Sequence, residues 1–227
     1  MTVHDAEKIL FPASVCASLA QSWHSRPKPR LAVIFGPQAV LGLYPWLLVP
    51  ALIAGESILV ADGSNSFNPY DVSKVAQWVG VPTEEILYRI HVSKAFSGAE
   101  MLTLVQNVPG FVHRKNSRLV LLSGLLDTFY NGSIQAQEAT GLWNSTLHSV
   151  EVIASESLFL LTICPDHPME QERSLKPSLY RAAEQVVELY SDSEGFPWLR
   201  WLKPGTHGPR EFSLPWVLDE FWHGLRQ

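Results

Sequence analysis

Residues 31–43 read LAVIFGPQAVLGL: an apolar run of strand length, a Gly-Pro turn, then a second apolar run that opens a helix. The first five residues carry no charge, which predicts a central strand buried on both faces. A strand, a glycine turn and a helix in this order form the frame of a phosphate-binding loop, whose pattern is G-x-x-x-x-G-K-[ST]. In that pattern the lysine grips the β- and γ-phosphates and the hydroxyl holds magnesium. Here five residues separate Gly36 from Gly42, and Leu43 and Tyr44 follow. No lysine or arginine occurs between Arg30 and Lys74. The segment has the frame of a nucleotide site without its charge.

Working outward, apolar runs alternate with helical patterns along the chain. Ser57–Ala61 predicts a second strand, Leu87–Val92 a third, Arg118–Leu122 a fourth and Leu158–Cys164 a fifth. Between them, helices are predicted over 41–54, 72–79, 97–108 and 134–150, with a short one after Thr83. Asp71 and Thr83 are the expected caps, and Pro50 is expected to kink or stop its helix. Strands alternating with helices predict an α/β fold, a mostly parallel sheet with helices on both faces. Residues 1–30 read as an amphipathic helix over 5–22 and a proline-broken basic linker. Residues 31–195 read as the α/β core, and 165–178 within it as a surface loop. Residues 196–227 read as an aromatic-rich hairpin and short helix extending the same domain.

Composition narrows the function classes. The chain has 227 residues, 46% of them hydrophobic, enough for one large core. A net charge of −5 argues against a general polyanion binder and leaves room for a local basic patch. Cys16 and Cys164 lie far apart and read as two reduced thiols. The first residues lack the basic-then-apolar pattern of a secretory signal, and the apolar run over 39–54 is too short to span a membrane. The expected compartment is cytoplasmic or nuclear.

Four further stretches, in order, carry a family resemblance. They are ILVADGSNSFNPYDV (58–72), ILYRIHVSKAFSGAEMLTLV (86–105), RLVLLSGLLDTFY (118–130) and SLFLLTICPD (157–166). Together with 31–43 they resemble the ATPase core of the RecA superfamily, including its KaiC-like members, over about residues 28–165. The resemblance implies a RecA-like sheet of the P-loop NTPase type. It places the phosphate-loop lysine at Gly42 and its hydroxyl at Leu43, on a degenerate loop bounded by Gly36 and Gly42. The catalytic glutamate, two residues beyond Asp62, falls at Ser64, and the Walker B aspartate falls at Ser123. Phosphoryl transfer rests on positioning and charge neutralisation, so losing these groups together removes the reaction. The implied protein is a pseudo-ATPase without catalytic residues, cofactor or metal: a non-catalytic paralogue in DNA recombination or repair, partnered by another RecA-like or repair subunit. The alternatives are a weak nucleotide-binding switch using Gly36–Gly42 and Asp62, or a small-molecule enzyme on a similar sheet.

Other candidates have plainer readings beside them. Asp62 and Asp71 flank a turn where a metal could sit, and the same residues serve as turn-closing acceptors. Cys164, Asp166 and His167 share a loop without a second ligand pair at zinc spacing. Ser64, Ser66 and Ser123 lack the nucleophile-elbow pattern that hydrolytic serines need. Arg114, Lys115 and Arg118, with Arg173 and Lys176, are candidate nucleic-acid contacts, opposed by acids in the second group's loop. The tail aromatics Trp198, Trp201, Phe212, Trp216, Phe221 and Trp222 are candidate partner anchors, or a cover for the sheet edge.

Overall fold

The computed structural model describes residues 30–130, 135–155, 159–167, 175–194, 197–203 and 211–213. The apolar run after Arg30 forms strand β1 (Leu31–Gly36), buried along its whole length. A 3₁₀ turn over Gln38–Leu43 leads into helix α1 (Tyr44–Ile53). Strand β2 (Ile58–Asp62) and helix α2 (Pro69–Trp78) follow, then the single turn α3 (Glu84–Leu87) and strand β3 (Ile90–Lys94). Helix α4 (Gly98–Lys115) leads to β4 (Leu119–Ser123), the single turn α5 (Asp127–Tyr130) and α6 (Ala136–Ser155). Strand β5 (Phe159–Pro165), helix α7 (Lys176–Ala182) and strands β6 (Gln185–Ser191), β7 (Pro197–Lys203) and β8 (Glu211–Ser213) complete the described chain.

The strands join one sheet of eight in the order β3-β2-β4-β5-β1-β6-β7-β8. Neighbours from β3 to β6 are parallel, while β6-β7 and β7-β8 are antiparallel. Side chains alternate across each strand, so the sheet has an apolar core on either face. Ala32 and Ile34 of β1 pack with α1 and α2 on one side. Leu31, Val33 and Phe35 pack with α4, α5, α6 and α7 on the other. Burial on both faces is what a charge-free strand requires, and it makes the fold α/β with helices on both sides.

Several elements depart from their predicted form. Pro50 lies inside α1 and does not end it before Ile53. A helix with eight of its ten residues buried gains more from packing than one missing backbone hydrogen bond costs. Asn68, not Asp71, caps α2: its side chain accepts from the Tyr70 N–H at 3.1 Å. Thr83 precedes α3 without a side-chain cap, and β3 begins at Ile90 because that turn uses up Ile86 and Leu87. Helix α4 runs through Pro109 to Lys115, seven residues past the predicted end. The surface loop predicted over 165–178 gives way at Lys176 to α7. Strand β6 was not predicted, and it flanks β1. In the tail, β7 and β8 pair antiparallel and continue the same sheet, while the short helix predicted after them lies outside the described residues. The predicted helix over 5–22 and Cys16 lie outside the described residues. No described helix is long and apolar enough to cross a membrane.

Candidate functional site

Ligands of open α/β sheets bind beyond the carboxyl ends of the strands, where the strand order reverses. Strand β1 is such a point, with β5 on one side and β6 on the other. Its last residue, Gly36, has φ +153°, and a Cβ there would stand 2.3 Å from the Leu189 carbonyl oxygen. The Gly36 carbonyl accepts from the Asp166 N–H at 2.6 Å, which ties the β1 end to the β5 end. Beyond it the chain tightens: the Val40 N–H donates to the Pro37 carbonyl at 2.8 Å. Val40, Leu41, Gly42 and Leu43 are buried. The two positions where the resemblance puts a lysine and a hydroxyl therefore lie in apolar packing.

At the β2 end, Asp62 is fully buried, and its acceptors are engaged by its own turn. Oδ2 accepts from the Phe67 N–H at 3.0 Å, and Oδ1 from the Ser66 N–H at 3.3 Å and the Ser64 hydroxyl at 3.1 Å. The Ser64 and Ser66 hydroxyls share a hydrogen bond of 2.5 Å, and Ser123 stands 3.5 Å from Ser64. The structure thus brings Asp62, Ser64, Ser66 and Ser123 together, as a turn-closing network. The loops after β2 and β4 leave no room between them. A Cβ on Gly124, φ +59°, would lie 2.4 Å from the Ser64 Cβ, and one on Gly63 would lie 2.6 Å from the Gly124 carbonyl oxygen.

Asp71 does not join Asp62. It meets the Tyr44 hydroxyl at 3.2 Å and the Lys74 ammonium at 3.5 Å. That hydroxyl also accepts from the Asn68 N–H at 2.9 Å, and burial, reinforced by Asp71, pushes its pKa up. Cys164, Asp166 and His167 diverge as well. Burial, with Asp127 adding to it, pushes the Cys164 thiol up to about 12. Asp166 takes the Lys176 ammonium at 2.5 Å, and His167 stacks on Tyr130 at 4.6 Å. Among the described residues, no group of three or more His, Cys, Asp or Glu could hold a metal ion.

The sequence reading missed Asp127, in the first turn of α5. Its Oδ1 is buried without a hydrogen-bond partner. Burial, and then the charge of Asp62, push its carboxyl up to about 7, against the pull of Lys176. Lys176, whose side chain is only 12% exposed, also lies over the Phe35 ring, 5.3 Å from its centroid. An ionisable residue in LLDTFY carries no signal of its own, because its environment is assembled from β2, β4 and α7.

The remaining candidates scatter. Arg114, Lys115 and Arg118 are exposed at the opposite, amino-terminal end of β4, and Arg173 lies outside the described residues. Trp198 donates to Asp192 at 2.7 Å, and Trp201 packs partly buried against the α1 side of the core. Phe212 is paired with Leu199 across β7-β8, while Trp216, Phe221 and Trp222 lie outside the described residues. No known protein-family model matches the chain.

Proposed function

We propose that this chain is a non-catalytic RecA-like paralogue, serving as an accessory or scaffold subunit in DNA recombination or repair. The observation that carries the reading is the burial of Val40–Leu43 in the turn after β1, where a phosphate site needs free N–H groups and a cation. The position of β1 at the reversal of the strand order supports it, because a nucleotide site of this fold class belongs there. So does the second neutral edge: the Ser64 hydroxyl donates to Asp62 and lies 3.5 Å from the Ser123 hydroxyl, so neutral side chains stand at both positions. Without charge at the phosphates, what such a domain offers an assembly is its shape. The test is calorimetry of the full chain with ATP and magnesium, together with a phosphate-release assay and affinity purification from source cells. The expected result is no micromolar binding, no hydrolysis, and recovery of a RecA-type or repair subunit. Micromolar ATP binding, or recovery of the free chain alone, overturns the reading.

A weak nucleotide-binding switch is the second reading, favoured by the Lys176 ammonium beside Phe35 at the β1 end. It requires ATP affinity that falls in a Lys176→Ala variant, and the same titration separates the two.

A further inference from the structure

The far end of the sheet carries a feature that the lost phosphate chemistry does not use. Helix α4 ends on His113, Arg114 and Lys115, and Asn116, with φ 49°, turns the chain back toward Arg118 and β4. This turn is held from inside. The Ser117 N–H donates to the Val112 carbonyl at 3.2 Å, and the Ser117 hydroxyl reaches the Ser57 carbonyl at 2.6 Å. His113, Arg114, Lys115 and Arg118 all project into solvent from this fixed backbone.

None of the three cations is in an ion pair among the described residues. Elsewhere Arg30 pairs with Glu184, Lys74 with Asp71, Lys176 with Asp166 and Arg200 with Glu188. Arg114, Lys115 and Arg118 have no such partner among the described residues. A helix carboxyl end favours a nearby cation, which accounts for Arg114 and Lys115 but not for Arg118, beyond the helix. Their field extends to the neighbouring strand: His91 on β3 has its pKa lowered by partial burial and then by Lys115. Just after α3 and two residues before that strand, Tyr88 is 66% exposed, with the Arg89 guanidinium 5.0 Å from its ring centroid. On a chain of net charge −5, this is a local positive surface flanked by an exposed aromatic ring.

We propose that the turn carrying Arg114, Lys115 and Arg118 is a contact for the phosphodiester backbone of a nucleic acid. Two guanidinium forks suit phosphate oxygens bidentately, and Lys115 adds a point charge between them. Tyr88 offers a face for an unpaired base. The chemistry is sequence-independent, since nothing in the turn is shaped to read base edges. A membrane surface fits less well, because no large apolar side chain stands exposed within the turn to enter lipid. The inference rests on the electrostatics of this turn, independently of the accessory-subunit reading.

The test is fluorescence anisotropy of the full chain with a labelled mixed-sequence oligonucleotide, single-stranded and duplex, at stepped salt concentrations. Phosphatidylserine vesicles form a separate arm. The combined Arg114→Ala, Lys115→Ala, Arg118→Ala variant is compared with Lys74→Ala, Lys94→Ala, Arg181→Ala, which removes equal charge elsewhere, and both are checked for fold by circular dichroism. Binding of either oligonucleotide is expected to weaken at least about tenfold in the first variant, with a log–log salt slope flatter by about 2 to 3, and to change less than about twofold in the second. Absence of binding by the unmodified chain, equal weakening in both variants, or binding to vesicles alone overturns the proposal. Should the triple variant misfold, Arg118→Glu alone must weaken binding for the proposal to stand.

Discussion

At the scale of single residues, Asp127 has the least ordinary environment among the carboxylates described. Its folded pKa of about 7 stands above the ordinary 3.8, because burial disfavours the anion and Asp62 repels it. The folded state therefore binds more protons than the unfolded one between those values. Its contribution to stability is complete below about pH 4 and is lost as pH rises through about 7. In an Asp127→Asn variant that loss disappears. Unfolding free energies from urea titrations at pH 5 and pH 8 should differ less in the variant than in the unmodified chain, by ~1–3 kcal/mol once solvent screening is allowed for. An unchanged difference would show that Asp127 ionises freely in the native state. None of this is legible in LLDTFY. By contrast, the turn-closing role of Asp62 is the plain expectation for an Asp-Gly-Ser-Asn stretch, and its three acceptor contacts bear that out.

Among the elements, how much the sequence revealed followed burial. Strands β1, β2, β4 and β5 stand out as apolar runs because both of their faces are covered, and the observed strands begin and end close to where those runs do. Strand β6 was hidden because QVVELYS mixes polar with apolar residues and follows a helical stretch without a break. Its partner β1 lies about 150 residues earlier in the chain, so only tertiary pairing fixes it. The start of helix α4 shows the opposite case, fixed by local contacts, although the helix runs on past its predicted end. Ser97 accepts from the Glu100 N–H at 3.3 Å, while the Glu100 carboxylate accepts from the Phe96 N–H at 2.7 Å. This is the reciprocal arrangement of a capping box, shifted by one residue on the carboxylate side. Ser97→Ala should lower stability by about 1 kcal/mol, measured as a shift of the denaturation midpoint with an unchanged slope. A shift near zero would mean that Glu100 alone holds the helix start.

On the scale of the whole molecule, the sheet is asymmetric. Among the described residues β3 ends the sheet on one side, with Val92 exposed, whereas the other side is extended past β6 by the antiparallel pair β7-β8. Leu199 of β7 is fully buried, and Trp201 packs against the core that α1 and α2 share with the sheet. A chain ending at Ser191 would leave β6 as an unprotected edge and remove those core contacts. Such a truncation should aggregate on refolding, seen as light scattering under conditions where the full chain stays clear. A monodisperse truncated chain would assign β7-β8 no part in stability. The enclosed turn after β1 also limits what can be placed in it. Gly42 is buried along with Leu41, Leu43 and Tyr44, so a Gly42→Lys replacement would have to desolvate an ammonium or unpack the turn. A cation is admitted to this turn only at the expense of the core that Val40, Leu41 and Leu43 help to fill.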